Sequence, residues 1–230
     1  MRKQSLIEYV TLAAILVAML VQLLVSYRLI RVTTDIQKAL TELNLFLSGG
    51  SDQPIDLNMV IDVSVDDDPF QGPADAPIVV VVFSDYGCPA CAQARDVLEA
   101  IMGSYEGQVK LVMRDFPLDA NSELAAKAAQ CANEQGAFWQ MHDRLFESRG
   151  VFGLETLNNV ASELELDADE FRICMQSESV SQEIEHDRQD GIAYGVEGTP
   201  AFFINGIPIR GLVSTSVLEN AIDMLLAQNE

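Results

Sequence analysis

Apolar residues follow several distinct rhythms along this chain, and each predicts a different kind of element. The first is unbroken. From Tyr9 to Tyr27 nineteen residues carry no charge, about the length that spans a hydrocarbon layer. The stretch that follows, "SYRLIRVTTD", has no small-x-small cleavage site, so residues 1–31 read as an uncleaved membrane anchor and not a signal peptide. The second rhythm is helical. Val32, Ile36, Leu40, Leu43 and Leu47 recur at spacings of three and four, forming one apolar face of a stalk helix or of half a coiled coil. "SGGSDQP" then breaks the pattern, which makes residues 32–54 a stalk and linker and leaves residues 55–230 as the main domain.

Within that domain "LNMVIDVSV" alternates and predicts a strand, while "DDDPFQGPADAP" predicts a loop. "IVVVVFS" (78–84) is continuous and β-branched, as in a strand covered on both faces. "AQARDVLEAIMGSY" places Ala94, Val97, Leu98, Ile101 and Met102 at helical spacing, and "QVKLVMRDF" reads as another strand. Strand, helix and strand in this order predict a parallel βαβ unit. From Ser122 to about Tyr194 only short helical patterns follow, several opened by Ser or Asp. "PAFFINGIPIRG" predicts a hairpin around Asn205-Gly206, and "STSVLENAIDMLLAQ" a closing helix. The fold class is therefore α/β: βαβ, an all-helical insertion over about 120–194, then ββα.

Charge narrows the partners. The 230 residues carry a formal net charge of −21, and residues 32–230 hold ten Lys and Arg against thirty-four Asp and Glu. Such a surface repels phosphate backbones, so nucleic acid is excluded as a partner. Most of these charges read simply as a solvated surface. The flanking charges Arg2, Lys3, Arg28 and Arg31 balance and leave the orientation of the anchor to other arguments.

The chemistry concentrates in "SDYGCPACAQARDVL", where Cys88-Pro89-Ala90-Cys91 joins a buried strand to a helix. A zinc site needs about four ligands. The chain has no second CxxC, and its two histidines fall in unrelated segments, so no metal site is read here. A copper site drawing on a distant histidine is equally weak. A redox role fits better. A cysteine entering the first helical turn faces unsatisfied N–H groups and the positive end of the helix dipole, which favour thiolate over thiol. Cys88 is then the attacking sulfur, and Cys91, one turn on, the resolving one. Pro89 suits the first helical position, where its missing N–H costs little.

"VVFSDYGCPAC", "RDFPL", "AAQCANEQGAFWQMHDRLF" and "GVEGTPAFFINGIPI" occur in this order, and from about Asp62 onward the chain resembles the DsbA family of thiol-disulfide oxidoreductases. The resemblance implies a thioredoxin-like fold with an inserted helical subdomain; it does not cover the N-terminal transmembrane helix, which is read from the uncharged stretch alone. It implies Cys88 as nucleophile, Cys91 as resolving thiol and no cofactor beyond the cysteine pair. Thr199 and a cis Pro200 would face the pair and bind the substrate segment as an added strand. Cys131 and Cys174, which by themselves read equally as buried free thiols, would form a structural disulfide. One position departs from the family pattern: many relatives carry a buried glutamate six residues before the first cysteine, and here stands Val82. That leaves Asp85 or water to handle the Cys91 proton, unless Asp85 only braces the loop. Trp139 and His142 read as packing residues. The implied protein is single-pass, anchored in the cell membrane with its domain outside the cytoplasm. It would act on thiol-containing exported proteins and be reoxidised by a separate membrane partner. A reductase or isomerase of the same fold is the alternative, as is an anchored scaffold or metal carrier without catalysis.

Overall fold

Strand β2 (Ile78–Ser84) is the centre of the domain because its side chains are apolar on both faces. Ile78, Val80 and Val82 point into one apolar cluster, Val81 and Phe83 into another. The computed structural model describes residues 59–228 except 66 and 149, together with residues 19, 22, 26, 28 and 31. The chain divides into two units, Met1–Ser48 and Gly49–Glu230. The five described residues of the first unit are helical and exposed. The expected membrane anchor, stalk helix and linker otherwise lie outside the described residues. Among the described residues no helix is long and apolar enough to cross a membrane.

The sheet has five strands in the order β1-β3-β2-β4-β5. β2 runs parallel to β3 (Val109–Asp115), with Ile78 opposite Val109 and Ser84 opposite Asp115. Helix α1 (Pro89–Ser104) makes the crossover between them. β4 (Ala201–Ile204) lies antiparallel on the other side of β2, and β5 (Ile207–Arg210) closes the hairpin. Asn205 and Gly206 both take positive φ at this turn, 46° and 83°, as a two-residue hairpin of the primed type requires. At Gly206 a Cβ would also lie 2.3 Å from the Ile61 carbonyl oxygen.

Between β3 and β4 come five helices: α2 (Ala120–Asn133), α3 (Phe138–Glu147), α4 (Leu154–Glu163), α5 (Ala168–Cys174) and α6 (Glu178–Ala193). Asp119, Asp167 and Ser177 cap α2, α5 and α6 with side-chain acceptors, relieving orphan N–H groups of the first turns. The apolar faces of α2 to α5 merge with α1, α7 (Thr215–Gln228) and the first face of the sheet into one core. α6 reaches the second face. Its Gly191 comes so close to Phe83 and Phe116 that a Cβ would stand 2.8 Å from a Phe116 ring carbon.

Two assignments change. Residues 59–65, predicted as a strand, join no ladder. Ile61 donates one backbone bond to Gly206 at 2.9 Å, and Ile61, Val63 and Val65 pack on the second apolar cluster. Their alternation thus records a segment lying across a sheet, not within one. The strand on this side is instead β1 (Phe70–Gln71), in the predicted loop and antiparallel to β3. Pro69 lacks the N–H that would lengthen it upstream. Downstream, Gly72 turns at φ 91°, where a Cβ would meet the Val109 carbonyl.

Candidate active site

The end of β2 and the start of β4 lie side by side, since Phe83 pairs with Ala201. That single register brings residues 85–91 against residues 198–200. The Thr199–Pro200 peptide is cis. The Cys88 thiol points at the Thr199 carbonyl oxygen, 3.5 Å away across 111 residues of chain. Cys88 itself has extended backbone (φ −84°, ψ 119°) and occupies the N-cap of α1, with Pro89 beginning the helix. Its carbonyl accepts from the N–H of Cys91 and Ala92 at 3.1 and 3.2 Å. No side chain caps this helix, so its orphan donors are left facing the sulfur.

The two sulfurs are therefore unequal. Cys88 is half-buried and Cys91 buried, and they are not bonded to each other. The Cys88 pKa falls to about 5, chiefly because the Cys91 thiol donates to its sulfur; the N–H groups of Cys91 and Ala90 and the Thr199 hydroxyl add to this against partial burial. Cys91 moves the opposite way, raised because it supplies the proton in that bond and because it is buried. The Thr199 hydroxyl is buried and has no hydrogen-bond partner among the described residues. Pro89 is exposed and Ala90 half-buried, and neither brings a polar side chain.

Asp85 is buried at 3% exposure. One of its carboxylate oxygens accepts from the Gly87 N–H and the other from the Leu118 N–H, at 2.8 Å. It thereby ties the loop after β3 to the loop that carries Cys88, whose N–H donates to the Asp85 carbonyl at 3.1 Å. Val82 is 1% exposed and shares the first apolar cluster with Cys91. Beside Thr199 an open recess of about 310 Å³ is lined by Tyr194, Val196, Phe203 and Ile209.

Away from this site Cys131 on α2 and Cys174 on α5 form a disulfide, with Cα atoms 5.6 Å apart. His142 is buried, and its Nδ1 lies 3.2 Å from the Tyr86 hydroxyl. Burial and then Arg95 lower its pKa to about 3, so it stays a neutral packing partner. Trp139 donates to the Phe70 carbonyl at 3.3 Å.

Sequence reasoning passed over a buried charge cluster. Arg114, 1% exposed, donates to Asp187 at 2.7 Å and to Asp190 at 3.1 Å, with Asp68 also at 3.1 Å. Burial opposes its charge, but Asp187 and Asp68 outweigh that and hold it protonated. Its neighbour Asp115 is 6% exposed. It accepts from Gln130 at 2.8 Å, and its N–H donates to Asp187 at 2.8 Å. The signal was present in "LVMRDF", an Arg-Asp pair inside an apolar strand that must bury both charges.

The profile of the family described as thioredoxin matches residues 64–224. A thioredoxin-like oxidoreductase from Silicibacter pomeroyi DSS-3 is 28% identical, with a TM-score of 0.64 over 72% of this chain and 95% of that one. The thiol-disulfide exchange protein alpha-DsbA2 from Wolbachia pipientis shares the fold at 24% identity, TM-score 0.64, covering 69% of this chain and 87% of its own. A curated relative, "Na(+)/H(+) antiporter NhaA 3" of Salinispora tropica, is 36% identical over 179 residues, 76% of this chain. The match spans only 27% of that relative's length, so its name describes a much longer protein.

Proposed function

The chain belongs to the thioredoxin family, and from that premise we propose that it is a DsbA-type thiol-disulfide oxidoreductase acting outside the cytoplasm through Cys88 and Cys91. The observation that carries this reading is the Cys88 sulfur at an uncapped helix start, against Cys91 and the Thr199 carbonyl. In the oxidising direction a substrate thiolate attacks Cys88 in the Cys88–Cys91 disulfide. Cys91 leaves as a thiolate and takes up a proton. A second substrate thiolate then attacks the substrate sulfur of the mixed disulfide, and Cys88 leaves. The substrate loses two electrons to its new disulfide, and the cysteine pair gains them as a dithiol.

Departure of Cys88 is eased by the donors that stabilise its thiolate. The same donors favour the reduced pair and make the disulfide an oxidant. A substrate segment laid against Thr199 adds a strand there, with the apolar recess beside it. The bond between Cys131 and Cys174 fits an oxidising compartment. The uncharged stretch from Tyr9 to Tyr27 would hold the domain to the membrane, with Met1 in the cytoplasm. Thiol-containing exported proteins are the substrates in this reading, and a separate membrane partner reoxidises the pair.

Equilibration with glutathione buffers tests the direction. The expected potential lies above the roughly −270 mV of thioredoxin and below the roughly −120 mV of DsbA. A value at or below thioredoxin's favours the reductase reading. Protease added to intact spheroplasts tests the placement: the domain should be digested, and full protection contradicts it.

A further inference from the structure

The turn that presents Cys88 is short. The Cys88 N–H donates to the Asp85 carbonyl at 3.1 Å, which closes a β-turn with Tyr86 and Gly87 at its corners. Asp85 fastens this turn to the loop after β3 through the Leu118 N–H. Gly87 lies against α2, where a Cβ would stand 2.6 Å from the Ser122 hydroxyl oxygen. Tyr86 is the one large side chain of the turn, and it is buried at 7% exposure.

The Tyr86 ring packs on Phe146 and His142 of α3, with centroids 5.0 and 5.6 Å away. Its hydroxyl lies 3.2 Å from the His142 Nδ1. Helix α3 belongs to the helical insertion, so this bond ties the sulfur-bearing turn to a subdomain that supplies neither Cys88 nor Cys91.

His142 stands within an apolar stripe of Phe138, Met141, Leu145 and Phe146. Another phenylalanine would fill such a place as well. Burying an imidazole and a phenol costs hydration that their mutual bond offsets, and a hydrogen bond fixes a direction that ring packing alone leaves loose. The imidazole is itself held by the rings of Phe138, Trp139 and Phe146, at 5.8, 5.4 and 4.9 Å. The Tyr86 proton has no other acceptor among the described residues, so Tyr86 donates and Nδ1 accepts. Burial keeps the phenol protonated and the imidazole neutral, as those roles require.

Resting on the redox reading above, we infer that Tyr86 and His142 are positioning residues, whose bond sets the direction of the catalytic turn and keeps the Cys88 sulfur facing the uncapped start of α1. They act through Cys88 and not on the substrate. The donors that stabilise the thiolate have fixed positions at the helix start. A turn free to tilt loses part of that stabilisation, whereas the disulfide form is clamped by its own covalent bond and loses less. The reduced pair is then disfavoured, and the potential falls.

Equilibration of full-length variants with glutathione buffers tests this, with Cys88 alkylation followed against pH. In Tyr86→Phe the equilibrium constant for reducing the Cys88–Cys91 disulfide should fall by about tenfold, on the order of 30 mV. The Cys88 alkylation midpoint should rise by up to about one pH unit. His142→Asn keeps an acceptor as far along the side chain as Nδ1, so its potential should stay near that of the unmodified protein. Changing Tyr86 and His142 both to Phe leaves no unpaired polar group. That double variant should resist denaturant better than either single change to Phe, yet keep the lowered potential. Residues that served the fold alone would alter stability and leave potential and midpoint where they are. An unchanged potential in Tyr86→Phe therefore overturns the inference; should that variant not fold, an unchanged potential in the double variant overturns it. Failure of the unmodified protein to exchange with glutathione at Cys88 and Cys91 instead removes the redox reading itself.

Discussion

The four cysteines form two pairs in opposite surroundings. Cys131 and Cys174 stand 43 residues apart on α2 and α5, both in the apolar core and already bonded. Cys88 and Cys91 have only Pro89 and Ala90 between them, at the start of α1, with the first half-exposed and the second buried. Helix α2 is capped by Asp119, whereas the start of α1 has no side-chain cap. Reactivity of a sulfur follows from access and from donors aimed at it, not from having a partner sulfur nearby. The core pair has neither, so its bond serves as a fixed link between helices.

The sharpest way to break this comparison is to remove one sulfur from each pair. Cys88→Ala should abolish reduction of insulin and exchange with small disulfides, and Cys91→Ala should leave Cys88 trapped in mixed disulfides visible on non-reducing gels. Cys131→Ala with Cys174→Ala should leave the exchange rate within about twofold. That double change should instead lower unfolding free energy by roughly 3–4 kcal/mol in denaturant melts, the expectation for a loop of this length. Loss of exchange in the core variant, with the fold retained, would make the two pairs functionally coupled.

A second contrast lies in pH. Alkylation of Cys88 should hold its rate as pH falls until it drops near the thiol's pKa of about 5, while Cys91 stays unlabelled at neutral pH, as peptide mapping would check. The sign of the linked stability follows. The folded-state pKa of Cys88 is depressed, so its contribution to the reduced protein is complete above the unfolded value of about 8.5. It declines as pH falls and is gone below about 5. The oxidised protein lacks this contribution. The melting difference between reduced and oxidised forms should therefore shift toward the oxidised form between those limits, and a pH-independent difference would contradict the thiolate assignment.

The smallest expected effect concerns Ala90. Ala90→His would place an imidazole donor beside Cys88, lower its pKa further and raise the potential by on the order of 30 mV, a tenfold change in equilibrium constant. An unchanged potential would mean that the helix start already supplies all the stabilisation this thiolate accepts.

Much of the site can be read from residue types and spacing. A β-branched run, a CxxC and a helical pattern place two sulfurs at a helix start because each is a local preference of the backbone. The Asn205-Gly206 turn is equally local, since few residues accept positive φ at both positions. The path of residues 59–65 was less legible. Alternation reports that one side of a segment is covered, and a strand in a ladder and a segment lying across a sheet meet that condition equally. β1 was missed for the opposite reason: two residues between a proline and a glycine are too few to show a period.

The sequence by itself determined the order of elements from β2 onward, the strand-to-helix position of Cys88 and Cys91, and the apolar character of both faces of β2, all of which are written in short stretches of residue type and spacing. Tertiary structure alone decided that the Thr199 carbonyl meets the Cys88 sulfur, that Asp85 joins two loops, and that Asp115 stands opposite Ser84 in the sheet. Those contacts join residues 111, 33 and 31 positions apart. Each depends on strand register, where a slip of one residue turns every side chain to the other face. Register is fixed only when the whole core closes on both sides of the sheet, so no local pattern along the chain encodes it.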